Sequence, residues 1–294
     1  MVNSLFAVVS LRLSKISPDV KYQFFVDDSK NRANIKSFDQ MMDAKKEREI
    51  FNELAGLILN PTKCIAWGSS DKARKLARQL IPAQGRLVKY FPSLGYVVNT
   101  TKGIRRIEMD QKCLKADKVL DKIAKLPNTK KNKELYIAST VIPKITYGCN
   151  VCLPSRQVLN NLTCKILKVF WSTDQKLREP SFVFLTNHRA HKLHPKLACY
   201  WECLHNIRKC MIGYPELRNQ IANHWDKAKR NKPGPISVIK TIFHELECDL
   251  GDNWNITCDC LSFNFIQISQ QQWGHNIRKI FKRFLMRNVK KRKD

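Results

Sequence analysis

The sequence has no apolar run that approaches the roughly 18–20 residues of a membrane-spanning helix, and it is poor in carboxylates. Its 294 residues include 25 Asp and Glu against 53 Lys and Arg, which gives a formal net charge of +28. The short apolar stretch 5–9 has no basic residue before it and no cleavage site of small residues, so we expect no signal peptide. Such an excess of positive charge favours a polyanionic partner, and nucleic acid rather than a membrane surface.

The composition also excludes a disordered tail and a secreted disulfide scaffold. Apolar residues make up 43% of the chain, which is enough to build a core. The eleven cysteines are spread from Cys64 to Cys260, whereas secreted disulfide scaffolds are shorter and denser in cysteine. We therefore expect reduced thiols in an intracellular protein, either nuclear or cytoplasmic. The basic run Lys290–Lys293 would suit nuclear import.

Two changes in pattern suggest how the chain is organised. Up to Thr100, short β-prone runs surround a helical pattern over 37–54, which predicts mixed α/β structure. From Lys102 to Lys133 the period is helical, with eleven Lys and Arg against four Asp and Glu. Further amphipathic helices follow, and the breaker Asn231–Pro235 marks a second boundary. We expect regions at 1–100, 101–230 and 236–294, the last one basic and helical.

Basic residues at helical spacing form two predicted nucleic-acid-binding surfaces. In the first surface, lysines recur every three or four residues, so they stack along one stripe of a helix. The second surface lies on the final basic helix, expected over 271–289. Contacts of this kind reach phosphates and position a nucleic acid without reading its sequence. The alternative is a solvated basic face. The residues are Lys112, Lys115, Lys118 and Lys122 on the first helix, and Arg278 and Lys282 on the second.

The most distinctive local feature is a pair of carboxylates after a β-prone run. Tyr22–Val26 is followed at once by Asp27 and Asp28. Adjacent carboxylates raise each other's pKa unless a cation lies beside them. Mg²⁺ prefers oxygen ligands and is the usual partner of phosphates in phosphoryl transfer. A magnesium site is therefore one interpretation of Asp27 and Asp28, and a solvated turn is the other.

The order of four motifs adds a resemblance to a known family. Phe25-Val26-Asp27-Asp28 resembles the aromatic-x-Asp-Asp box of reverse transcriptases. The segment Gly56–Cys64 is similar to the Gly-Leu-x-Leu-Asn-x-x-Lys-Cys/Thr segment of non-LTR (LINE-type) retrotransposon enzymes. Phe91–Tyr96 resembles their primer-grip turn, and Ile142–Gly148 resembles a helix end in their thumb. The resemblance covers about residues 20–150.

The resemblance implies a fold and a set of site residues. The fold would be α+β: a partial palm of β-hairpins and a helix over 1–100, then a mainly α-helical thumb and C-terminal region. Asp27 and Asp28 would bind catalytic Mg²⁺, and Lys63 would lie near the incoming triphosphate. Leu94 and Gly95 would lie in the primer grip. Without the resemblance, Lys63 is a solvated loop lysine and Gly95 satisfies a tight turn.

The sequence also departs from the family pattern. The family's metal site needs a further Asp from an upstream Phe-x-Asp strand, and a Gln-Gly-x-Pro template loop precedes the Asp-Asp box. Only 26 residues precede Asp27, and neither element is among them. We therefore expect a polymerase fragment that binds an RNA or DNA primer–template and is inactive alone. An upstream half in another chain is one way in which the enzyme would be completed. The alternative is a non-catalytic basic helical nucleic-acid-binding module.

Cysteines and histidines suggest one further site. Cys149 and Cys152 have the spacing of half a zinc site, and His188, His191 and His194 follow about forty residues later. Zinc binding is one interpretation; a structural cysteine pair, with histidines that contact phosphate, is the other.

A second group of cysteines lies within one predicted helix. Cys199, Cys203 and Cys210 fall in the amphipathic pattern over 195–212, and we expect them in the core.

Overall fold

The structure is a computed structural model, and it is mixed α+β, mostly helical with a few small sheets. This agrees with the coarse class expected from the sequence. The chain divides into two compact units, Met1–Lys102 and Gly103–Asp294. The structure describes residues 10–25, 28–93, 96–99, 107–170, 180–186, 190–230, 234–259 and 261–290. Within these ranges, no helix combines the length and the apolar character that crossing a bilayer requires.

Unit 1 contains three small two-stranded sheets. Strands β1 (Lys21–Phe25) and β2 (Asp28–Arg32) pair antiparallel, with Phe25 opposite Asp28. Strands β3 (Ile65–Ala66) and β4 (Arg86–Leu87) pair in parallel. Strands β5 (Tyr90–Ser93) and β6 (Tyr96–Asn99) form a second antiparallel pair.

Three helices accompany these sheets in the described part of unit 1, and the first covers residues 10–16. Helix α1 (Phe38–Leu54) follows a 3-10 turn, and Gly56 after its end has a φ of +64°, a left-handed conformation that glycine adopts at low cost. Helix α2 (Asp71–Gln79) begins after Ser70, whose side chain accepts a hydrogen bond from the amide of Ala73.

The apolar interior of unit 1 is small. Leu13 and Ala44 are buried together, with Tyr22 and Phe51 against them.

Unit 2 is a helical assembly with one three-stranded sheet. The sheet has the order β7 (Asp249–Leu250), β8 (Asn255–Cys258), β9 (Leu261–Asn264), all antiparallel. The helices are α3 (Ile107–Lys125), α4 (Lys130–Tyr136), α5 (Ile142–Thr146), α6 (Arg156–Phe170), α7 (Pro180–Thr186), α8 (Ala190–Leu193), α9 (Pro195–Gly213), α10 (Glu216–Trp225), α11 (Pro235–Leu246) and α12 (Gln270–Lys290).

A short π-helical turn, Ile137–Val141, joins α4 to α5. Pro143 lies at the start of α5. Because a proline lacks the amide hydrogen and its ring crowds the preceding turn, a local widening of the helix is the expected result.

An apolar core runs through the whole of unit 2. Its buried side chains extend from Met109 on α3 to Leu285 on α12, and they come from both sides of the segment 231–235. The helices before and after residues 231–235 therefore share one core within unit 2. Cys199 and Cys203 are in this core as expected, whereas Cys210 is exposed.

Candidate nucleic-acid interface

The residues of the predicted metal site are only partly described. Asp27 lies outside the described residues, and Asp28 begins β2, where its backbone pairs with that of Phe25. No group of three or more His, Cys, Asp or Glu side chains able to hold a metal ion is found in the described ranges. Magnesium binding therefore stays an expectation from the resemblance.

Of the other residues expected near the triphosphate and the primer, the structure describes Lys63. Lys63 ends a 3-10 turn, Pro61–Lys63, and its side chain is exposed. The side chain of Asn60 accepts a hydrogen bond from the amide of Thr62, which fixes this turn. Leu94 and Gly95 lie outside the described residues.

The predicted zinc ligands have other partners where the structure describes them. The thiol of Cys149 is buried, with its Sγ 3.5 Å from that of Cys203. Cys152 contacts the carbonyl oxygen of Leu153. His191 packs on the ring of Trp201, and His194 packs on that of Phe184. His188 lies outside the described residues. No three of the described members gather into a metal site.

Burial keeps neighbouring thiols protonated. Burial raises the pKa of Cys113 to about 12, and burial together with the adjacent thiols raises that of Cys203 well above its ordinary value. Contacts with Cys199 and Cys203 act in the other direction on Cys149 and lower its pKa to about 5, so Cys149 is the member of this cluster closest to the thiolate form.

Helix α3 presents its lysines on the side opposite the core. Its buried residues are Met109, Cys113, Ala116, Leu120 and Ile123. At 3.6 residues per turn, the opposite face carries four exposed lysines. We call them the lysine stripe: Lys115, Lys118, Lys122 and Lys125. The sequence prediction included the first three.

Lys112, the remaining member of the predicted set, is placed differently. Its Nζ donates a hydrogen bond to the carbonyl oxygen of Tyr147 at 3.2 Å and lies 5.0 Å from the centroid of the Tyr147 ring. Burial lowers the pKa of Lys112. This lysine therefore joins α3 to the end of α5 and is less available to a ligand than the stripe.

The three aspartates of α3 lie on its flank and are used in packing. Asp110 accepts a hydrogen bond from the amide of Ser155 at 2.9 Å. Asp117 and Asp121 both contact Nζ of Lys165 on α6, at 2.5 and 3.4 Å. Among the described residues, no ion pair involves a lysine of the stripe. No carboxylate whose side chain the structure describes therefore compensates the four exposed charges of the stripe.

On helix α12, the two predicted basic residues also differ from each other. Lys282 is exposed. Arg278 lies over the ring of Trp201, 6.0 Å from its centroid. Gly274 makes this approach possible, since a Cβ there would lie 3.3 Å from Trp201 and 3.4 Å from the Arg278 guanidinium.

A cavity of about 1370 Å³ lies between α6, α9, α10 and α11. Its lining includes Arg156 from α6, Lys240 from α11, and Lys229 with Arg230 beyond the end of α10. Sequence reasoning missed these residues, because they come from three separate segments. A local signal was the basic run at 227–230, but nothing in its spacing indicates a cavity.

One wall of the cavity carries a compensated carboxylate. Glu245 forms an ion pair with Lys196 and accepts a hydrogen bond from the hydroxyl of Tyr200 at 2.6 Å. Burial acts to raise the pKa of Glu245, but these contacts outweigh burial, so its pKa lies below the ordinary value. Glu245 is thus an anion that its own neighbours neutralise.

His194 lines the same cavity at the start of α9. Its Nδ1 atom is buried and has no hydrogen-bond partner among the described residues. Burial and the nearby Lys196 lower the pKa of His194 to about 3, so the ring is neutral near pH 7.

No protein-family model, no curated protein and no solved structure matches the chain.

Proposed function

We propose that unit 2 binds the backbone of nucleic acid through the lysine stripe, as the thumb-like part of a LINE-type reverse transcriptase fragment. The observation that carries this proposal is the arrangement of charge on α3. Its aspartates are used in packing against neighbouring residues, whereas the stripe lysines project on the opposite face without an ion pair in the described part of the chain.

Phosphates are the ligand class that this surface fits. Consecutive stripe residues are three or four positions apart, so they form a continuous row along the helix. When a row of ammonium groups binds a phosphate backbone, the counterions of the backbone are released into solution. This release supplies affinity without sequence preference. The basic residues Lys282 and Arg278 on α12 add charge to the same unit.

A salt titration tests this binding. Four phosphate contacts from the stripe predict that log K for a labelled primer–template duplex falls with log salt with a slope of about −3 to −4. Fluorescence anisotropy between low and physiological salt measures the slope. An affinity that does not change with salt would contradict backbone binding.

The polymerase part of the proposal rests on the four sequence motifs. Asp27 and Asp28 would be metal ligands for Mg²⁺ in a palm completed by an upstream half, supplied by another chain or by the same one. Because a two-metal site lacking one carboxylate is incomplete, the chain alone should not extend a primer. A primer-extension assay with Mg²⁺ tests this, and template-dependent synthesis by the chain alone would contradict it.

The second candidate function is a basic helical module without catalytic ancestry, in which Asp27 and Asp28 form a turn. The charge arrangement of α3 supports it equally well. The coding DNA upstream of Met1 separates the two candidates: a continuing frame with Phe-x-Asp and Gln-Gly-x-Pro elements favours the polymerase, and unrelated sequence favours the module. The basic run Lys290–Lys293 supports, as part of either proposal, a nuclear location.

A further inference from the structure

The cavity of unit 2 is a second basic feature, separate from the lysine stripe. Arg156, Asn160 and Cys164 lie on one face of α6 and line the cavity. Lys165, which pairs with the aspartates of α3, lies on a different face of the same helix. The cavity and the stripe are therefore on different sides of α6 and can be altered independently.

The charges of the cavity are unequal. Of its carboxylates, Glu245 is paired with Lys196 and Glu247 with Arg287, which leaves Asp249. Besides Asp249, the lining includes four basic side chains that have no ion pair in the described ranges. They are Arg156, Lys229, Arg230 and Lys240. A cavity with this balance attracts an anion that carries several charges.

An aromatic ring lies among these cations. Trp225 lines the cavity and is half-buried, with its ring centroid 6.3 Å from that of Phe243. The Nζ of Lys240 lies over the Trp225 ring, 5.3 Å from its centroid. A base that stacks on Trp225 must therefore displace Lys240 from the ring or use the other face, and in either case the ammonium group stays beside the bound segment.

The volume points to a ligand larger than a small metabolite. Pockets for small molecules typically enclose about 300–1,000 Å³ and are mostly apolar. This cavity has about 1370 Å³ and a lining rich in Arg, Lys, Asn and Thr. Its size and polarity fit a short stretch of a polymer.

We propose that this cavity binds a single-stranded nucleic-acid segment, with Lys229, Arg230 and Arg156 on its phosphates and Trp225 stacked on a base. Charged grooves combined with aromatic stacking are the usual means of holding single strands without sequence preference. A duplex keeps its bases stacked inside, so it cannot offer one to Trp225. This inference extends the proposed function, since it assigns the unpaired end of a primer–template to a site distinct from the stripe.

The test compares two labelled ligands on the full chain by fluorescence anisotropy: a single-stranded oligonucleotide of about twelve residues and a duplex of the same length. The test variant is Lys229→Glu/Arg230→Glu. Both side chains are exposed, so we expect the fold to persist. The matched control is Lys46→Glu/Lys72→Glu, which makes the same charge change on exposed lysines of unit 1.

We expect the test variant to lose at least about tenfold in affinity for the single strand and less than about threefold for the duplex, with little change in the control. Equal losses for both ligands, or a single-strand affinity as in the unaltered chain, would overturn the cavity proposal. DNA and RNA single strands, titrated in parallel, should both bind, since neither stacking nor phosphate contact reads the sugar.

Substitution of the tryptophan tests the stacking contact. Trp225→Ala should weaken single-strand binding by about tenfold, whereas Trp225→Phe should keep most of it because a ring remains. If Trp225→Phe weakens binding as much as the Lys229→Glu/Arg230→Glu variant does, the stacking role is wrong.

A variant of the lysine stripe separates a failure of the cavity proposal from a failure of the proposed function. Lys115→Glu/Lys118→Glu/Lys122→Glu should reduce duplex binding and leave most of the single-strand affinity. If duplex binding survives that change, the proposed function fails while the cavity proposal can still stand on its own variants. If the chain binds no single strand, the cavity proposal fails.

Discussion

The Nζ of Lys165 on α6 lies 2.5 Å from Oδ2 of Asp117 on α3, and the same ammonium group contacts Asp121. One lysine of the neighbouring helix thus takes up two carboxylates of the helix that bears the lysine stripe. The result is a separation of charge around α3: its aspartates are compensated on the flank, and the stripe lysines on the outer face have no ion pair among the described residues.

Removal of Lys165 should cost little stability. Its side chain is 40% exposed and that of Asp117 is 26% exposed, so water screens the pair. We expect Lys165→Met to lower the free energy of unfolding by about 0.5–1 kcal/mol, measured by urea denaturation. A loss of several kcal/mol would contradict the prediction that this exposed ion pair contributes little to stability. Duplex affinity should stay within about threefold, since the stripe itself is unchanged.

Arg208 should matter far more to stability. It is 5% exposed, and its guanidinium donates hydrogen bonds to the carbonyl oxygens of Phe265 and Ile268 and to the side chain of Gln270. The planar guanidinium group also lies over the ring of Trp273, with Cζ 5.6 Å from the ring centroid. Lysine cannot reproduce this fork of donors.

We expect Arg208→Lys to lower the free energy of unfolding by about 2–3 kcal/mol, because carbonyl groups in the segment between β9 and α12 lose their donors. Urea denaturation of unit 2 measures the change. The neighbouring exposed residue supplies the control, and Lys209→Met should change stability by less than about 0.5 kcal/mol. Equal effects of the two substitutions would contradict the buried role of Arg208.

Because of His194, the free energy of unfolding should fall as the pH is lowered. Its pKa falls from 6.5 to about 3 on folding, so only the unfolded chain takes up the proton between these values. The contribution of neutral His194 to the free energy of unfolding is therefore fully present above pH 6.5. It is lost as the pH falls toward 3, by up to about 1.4 kcal/mol per pH unit. Urea titrations between pH 7 and pH 4 should show a shallower decline for His194→Gln. An unchanged pH slope in that variant would show that this imidazole is not the group responsible.

The sequence predicts local features better than distant ones, and the helices show why. The period of apolar residues on α3 predicts both its helix and the outward direction of its lysines, since each depends on neighbouring positions alone. The contact of Arg208 with Phe265 joins residues 57 positions apart, and no period indicates it. Arg278 is a related case: its charge suggests a phosphate ligand, whereas the structure places it over Trp201.

The cavity could not be predicted for the same reason. Its cations come from α6, from α11 and from the residues after α10, and only the packing of those segments brings them together. Lys112 shows a contact that spacing alone does not indicate. It has the spacing of the stripe but lies toward one flank of α3, where Tyr147 is near enough to bind it.

The most direct test of the account is the salt dependence of duplex binding when the stripe is neutralised. For Lys115→Gln/Lys118→Gln/Lys122→Gln, we predict a slope of log K against log salt that is smaller by about two to three. The control Lys46→Gln/Lys72→Gln/Lys75→Gln makes the same charge change on exposed lysines of unit 1 and should keep the slope of the unaltered chain. A stripe variant with an unchanged slope would contradict the claim that this face of α3 binds the backbone.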